Sequence, residues 1–112
     1  MANNIIRAAS YVRSATEEGS TEALKHQTER IREYAAQNGS GLVREYSDVG
    51  SGLASHRRGL HQLEADARLG VYDVLIVYER SRLFRDRDKL RNYLRHLEAL
   101  GITVEFVKGV GQ

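Results

Sequence analysis

The chain alternates four short apolar runs with three longer amphipathic stretches. Residues 5–12 are apolar apart from Arg7, Ser10 and Tyr11, and predict a strand over 5–13. Over 20–37 the spacing becomes helical, with Leu24, Thr28, Ile31, Tyr34 and Ala35 on one face. Ser20 or Thr21 can cap that helix, Glu22 suits its positive end, and Asn38 or Gly39 can end it. A second strand is expected over 41–46, followed by a loop of small and polar residues over 47–55. The next helix, 57–69, turns Leu60, Leu63 and Ala67 inward and stops at Gly70. Residues 72–78 give the clearest strand. Its aliphatic run from Val74 to Val77 predicts burial on both faces, as in a parallel sheet covered by helices. A helix over 86–100, capped by Asp86, carries Leu90, Tyr93, Leu94, Leu97 and Leu100 and closes at Gly101. The fourth strand is 102–107. This βαβαβαβ order predicts one α/β domain, an open, mainly parallel four-stranded sheet with helices on both faces.

Composition narrows the setting. At 112 residues the chain makes one domain, large enough for a real core. It has no cysteine, which excludes disulfides and cysteine-based zinc sites and fits a reducing compartment. No apolar run approaches the roughly 20 residues that span a membrane, and the N-terminus lacks the features of a secretion signal. A cytoplasmic location is the expectation. A net charge of +2 does not by itself point to nucleic acid, but the choice of cation is informative. Only Lys25, Lys89 and Lys108 are lysines; the other 14 basic residues are arginine. A guanidinium is planar and matches phosphate oxygens, although a GC-rich genome gives the same preference. The histidines at 26, 56, 61 and 96 show no paired-ligand spacing, so no metal is expected. No GxGxxG or GxxxxGK[ST] loop is present, so no nucleotide cofactor is expected.

In open α/β sheets, ligands bind at the carboxyl ends of the strands. The first strand runs out through Arg13, Ser14, Ala15 and Thr16. The second leads to Asp48 and Ser51, with Arg57 where the next helix starts. The third empties into Ser81, Arg82 and Arg85. Arg82 and Arg85 are three apart and would share one side of a helical turn. With Arg13 and Arg57 they could surround a phosphate with forked donors and stabilise the charge that develops when a phosphodiester is attacked. Plainer readings stand beside this one. Ser14 and Thr16 can be capping turn residues, Asp48 a turn former, 47–55 a linker, and Arg82 with Arg85 a solvated helix start.

Five short motifs occur in order. They are Tyr11-Val12-Arg13-Ser14-Ala15-Thr16, Leu24-Lys25-His26-Gln27, Asp48-Val49-Gly50-Ser51-Gly52, Arg57-Arg58-Gly59-Leu60, and Ser81-Arg82-Leu83-Phe84-Arg85. Together they resemble the catalytic domain of the serine site-specific recombinases, the resolvase/invertase and large serine integrase family of mobile elements. The resemblance covers about residues 5–107. It implies a resolvase-like three-layer αβα fold and DNA recombination through a 5′-phosphoserine link. It places Arg13, Arg57, Arg82 and Arg85 around the scissile phosphate, with Gln27, Asp48, Ser51 and Ser81 in supporting positions. It implies DNA and further copies of the chain, in a dimer or tetramer, as partners, and neither cofactor nor membrane.

The sequence departs from that pattern in three places. The slot for the attacking serine holds Ala15, and a methyl group cannot attack phosphorus. An alanine introduced to trap a pre-cleavage state, a chain that binds DNA without cutting it, and attack by Ser14 each fit. Ser14 is the weakest of these, because neighbours on an extended strand point to opposite faces. Ser81 stands where the pattern has aspartate. The chain also stops soon after its fourth strand, so the expectation is a catalytic core without the long dimerisation helix and DNA-binding domain. Such a core would bind DNA weakly and in a salt-sensitive way. Two other readings are a recombinase-like regulatory protein that pairs with active partners, and a receiver or flavodoxin-like signalling module. A receiver needs paired acidic residues after the first strand, where this chain has Arg13 and Ser14.

Overall fold

The computed structural model describes residues 5–14, 20–50 and 57–108. Ala15, Thr16 and Ser51 lie outside the described residues. Four strands, β1 (Ile6–Ser14), β2 (Ser40–Val49), β3 (Val74–Val77) and β4 (Thr103–Phe106), form one sheet in the order β2-β1-β3-β4. Every neighbouring pair is parallel, in keeping with the continuous aliphatic run of β3. The helices are α1 (Ser20–Gln37), α2 (Arg58–Arg68), α3 (Arg80–Leu83) and α4 (Arg87–Ala99).

The two faces of the sheet have separate cores. Ala8, Val12, Val74 and Ile76 pack against Ile31 and Ala35 of α1. Ala9, Tyr11, Leu75 and Val77 face the other way, toward Leu60 and Leu63 of α2 and Leu90 and Leu97 of α4. α1, α2 and α4 turn their predicted apolar stripes toward the sheet, and Gly70 and Gly101 follow α2 and α4 with φ of 72° and 88°. Asp86 caps α4 by accepting from the N–H groups of Asp88 and Lys89 at 2.8 and 3.0 Å.

Three features depart from the sequence reading. β2 does not end at residue 46; it pairs with β1 through Val49, so Ser47 and Asp48 are strand residues rather than loop. The 72–78 strand is shorter than its apolar pattern, with ladder pairing only over Val74–Val77. The stretch after β3 contains a helix of its own, α3, which ends at Leu83 because Phe84 is extended (φ −148°, ψ 135°). Arg85 therefore lies beyond that helix, and Arg82 and Arg85 do not share a helical turn.

The extension of β2 has a consequence for the site. Ala8 pairs with Leu42, but Ala9 pairs with Arg44, so Val43 is an extra residue in β2. Side chains alternate with a period of two, and one inserted residue reverses which face the rest of the strand presents. Before the bulge, Leu42 packs in the α1 core; after it, Tyr46 packs in the opposite core with Tyr11. Asp48, paired with Arg13, follows Tyr46 onto that face. Deletion of Val43 alone should leave Tyr46 and Asp48 on their present face, whereas deletion of Val43 and Arg44 together should turn both to the α1 face and strip α2 of its contacts. We expect a loss of about 3–5 kcal/mol, the scale for breaking a buried charged group from its partners, measured by urea unfolding. A double-deletion variant with unchanged stability would contradict this account of the bulge.

Candidate active site

The carboxyl ends of β1, β2 and β3 meet at one carboxylate and one phenol. Asp48 accepts from the N–H groups of Gly59 (2.8 Å, Oδ1) and Leu60 (2.9 Å, Oδ2). These are two of the donors that the start of α2 cannot satisfy within the helix, and Arg57 at the N-cap contributes no side-chain cap. A strand residue thus does the work of a helix cap, with its charge at the positive end of the helix dipole. The approach is tight. A Cβ on Gly59 would lie 2.4 Å from the carbonyl oxygen of Ser47 and 3.0 Å from Asp48 Oδ2.

The fully buried Tyr11 donates its hydroxyl to Asp48 Oδ2 at 2.7 Å. The Tyr11 hydroxyl oxygen in turn accepts from Nε and Nη2 of Arg57 at 3.0 and 2.9 Å. Burial, and then the Asp48 carboxylate, push the Tyr11 pKa up, against the pull of Arg57. The phenol therefore stays protonated and keeps its bond to Asp48. Arg57 is only 2% exposed, and its Cζ lies 4.8 Å from the ring centre of Phe84.

Arg13, 5% exposed, faces the same side. Its Nε and Nη2 donate to the carbonyl oxygens of Arg82 (3.0 Å) and Ser81 (2.8 Å) in α3. Arg82 returns a bond from Nη1 to the carbonyl of Arg13 at 3.3 Å, and Arg57 Nη2 reaches the carbonyl of Arg82 at 3.4 Å. The Nε of Arg82 is buried with no hydrogen-bond partner among the described residues; Glu79 Oε2 faces it at 3.5 Å. On the other face of β1, Gln27 of α1 fixes both backbone groups of Arg13. It accepts from the N–H at 3.1 Å and donates to the carbonyl at 2.9 Å. Ser14, the last residue of β1, is buried, and its carbonyl accepts from the N–H of Gly50 at 2.9 Å.

The structure thus brings Arg13, Arg57 and Arg82 together around the backbone of α3. Arg85 is exposed yet close enough to act on Arg13. Burial lowers the Arg13 pKa most, followed by the positive charges of Arg57, Arg85 and Arg82; Tyr11 opposes them. Such a group of like charges favours an anion. Ser81 is exposed, and it is the backbone oxygen of Ser81 that enters the network. Among the described residues no cluster of histidine, cysteine, aspartate or glutamate is arranged to hold a metal ion, and no helix is long and apolar enough to cross a membrane.

The sequence profile described as "Resolvase, N terminal domain" matches residues 8–112. The chain belongs to the resolvase family. Among solved structures it is similar to the C-terminal catalytic domain of ISC1926 TnpA, an IS607-like serine recombinase, with a TM-score of 0.84 and 27% identity. That match covers 93% of this chain and 71% of the other. The N-terminal catalytic domain of TP901-1 integrase matches at TM-score 0.83 and 23% identity, over 90% of this chain and 77% of the other. A resolvase family site-specific recombinase from Streptococcus pneumoniae matches at TM-score 0.81 and 23% identity, over 92% and 72%. The four-stranded parallel sheet of this resolvase domain is therefore the fold of serine recombinase catalytic domains.

Sequence reasoning missed two residues at the centre of the site. Tyr11 and Phe84 fall inside the first and last of the five motifs, but neither is given a role of its own. The signal that could have marked Tyr11 is a hydroxyl in a strand that also carries Arg13. The tight seat of Gly59 gives a direct check. Gly59→Ala should lose about 1–3 kcal/mol of stability in urea unfolding, the usual cost of forcing an atom into packed surroundings, because the obstructing atom is backbone. A loss below a few tenths would mean that α2 is not pressed onto β2.

Proposed function

We propose that this resolvase domain is the catalytic core of a serine recombinase, and that its arginine cluster binds the scissile phosphate of DNA. What supports the reading is the convergence of Arg13, Arg57 and Arg82, with Arg85 beside them, at the carboxyl edge of the sheet in a member of this family. Forked donors there would hold the non-bridging oxygens and stabilise the charge that builds up in the transition state. In the full reaction a serine Oγ forms a bond to phosphorus, its proton is lost, and the 3′ oxygen leaves as a hydroxyl. The resulting 5′-phosphoserine link keeps the bond energy for rejoining after strands exchange. Further copies of the chain would assemble on the DNA for that exchange.

Ala15 occupies the attacking position, so the chain as written binds the phosphodiester and does not cleave it. Gln27 and Asp48 act through others: Gln27 holds the backbone of Arg13, and Asp48 holds Tyr11 and the start of α2. Ala15→Ser, made in the chain extended to full length, should restore cleavage. Incubated with duplex DNA that carries its recombination site, that variant should form a protein–DNA adduct that survives detergent and disappears with protease. The unmodified chain should form none. An adduct with the unmodified chain that Ser14→Ala abolishes would place the nucleophile at Ser14. No adduct from Ala15→Ser, where a known serine recombinase forms one on its own site, would sink the assignment.

A further inference from the structure

We infer that Phe84 is a positioning residue for Arg57: its ring sets the plane in which that guanidinium presents its remaining donors. Arg57 is fixed along one edge, where Nε and Nη2 share the Tyr11 oxygen. Two bonds to a single atom fix the direction of the fork but leave its plane free to tilt about that edge, and the longer bond from Nη2 to the Arg82 carbonyl, at 3.4 Å, restrains that tilt only weakly. The ring of Phe84, 4.8 Å from Cζ, supplies the missing constraint, and the ring of Tyr11, 5.3 Å away, adds a weaker one. A cation held against an aromatic face is attracted to it, most strongly where water is excluded, and Arg57 is almost wholly buried.

The ring is itself braced. Phe84 is the extended residue that ends α3, next to the fully buried Leu83. It packs edge-on against Tyr93 of α4, with ring centres 5.1 Å apart and planes at 61°. The Tyr93 hydroxyl reaches Glu64 of α2 at 3.4 Å. Arg57 at the start of α2 is therefore aimed through a path that runs from α2 to α4 to the end of α3. Phe84 also stands between Arg82 and Arg85 in sequence, so one turn of chain both supplies site arginines and orients another. Lysine at position 57 could not use this arrangement, having neither an edge for the phenol nor a plane for the ring.

The geometric part of this inference is independent of function; its effect on rate rests on Arg57 acting at the phosphate. Two measurements keep them apart. In the chain as it stands, labelled with nitrogen-15, Phe84→Leu should remove the ring-current shift of the Arg57 Nε–H resonance and speed its exchange with water about tenfold. Phe84→Tyr, which keeps a ring, should preserve both. If Phe84→Leu loses its native spectrum, Phe84→Met provides the same comparison. In the Ala15→Ser background, Phe84→Leu should slow adduct formation at saturating DNA about tenfold, leave the half-saturating DNA concentration nearly unchanged, and be rescued by Phe84→Tyr. An Arg57 resonance that stays in place in a folded variant without the ring would overturn the inference. So would an unchanged adduct rate. Loss of the Arg57 signature with no adduct from the Ala15→Ser parent would uphold the positioning and sink the recombinase reading alone.

Discussion

The structure of the site depends on one buried carboxylate. Asp48 takes hydrogen bonds from Gly59, Leu60 and Tyr11, and so ties β2, the start of α2 and β1 together. A carboxylate in such a place is costly unless its lone pairs are met, and here three donors meet it. Through Tyr11 the same charge reaches Arg57, since the phenol donates to the aspartate and accepts from the guanidinium. Removing any member of this chain would leave the others buried and underbonded.

Around that anchor the arginines are held mainly by backbone. Arg13 binds two carbonyls of α3, Arg82 returns a bond to the carbonyl of Arg13, and Arg57 adds a longer one. Carbonyl dipoles hold guanidinium groups in place without cancelling their charge. The lowered pKa of Arg13 reflects its burial first and then the mutual repulsion that remains. An anion in the site would relieve that repulsion, which supports the proposed binding of phosphate and would give these arginines a common response to it. The short α3 is central to this arrangement, because it offers carbonyl oxygens from Ser81 and Arg82 and then turns Phe84 toward Arg57.

Much of the architecture was legible in the chain. The aliphatic run of β3, the apolar stripes of α1, α2 and α4, the glycines after them and the cap at Asp86 each arise from local chemistry, and each appears where its pattern placed it. The strand-end rule also placed Arg13, Asp48, Arg57 and Arg82 on one edge. What was hidden is non-local. The bulge at Val43 shows only in how β2 pairs with β1, and without it the parity of Asp48 points the wrong way. The break at Phe84 lacks the glycine or proline that usually announces a helix end, so Arg82 and Arg85 looked like one helical face. Gln27 falls on the buried stripe of α1, where a pattern of apolar residues alone gives a polar one no role. Its partners are the backbone groups of another element.

The central claim is that the arginines at the carboxyl edge form one phosphate-binding unit. Guanidinium NMR during titration with a short DNA duplex at low salt tests it most directly. The resonances of Arg13, Arg57, Arg82 and Arg85 should move together along one binding curve and return as salt is raised, because the contacts release condensed counterions. Arg32 and Arg44, which pair with acidic groups elsewhere on the surface, should stay still. Movement of Arg32 and Arg44 with no change at the other four would contradict the account.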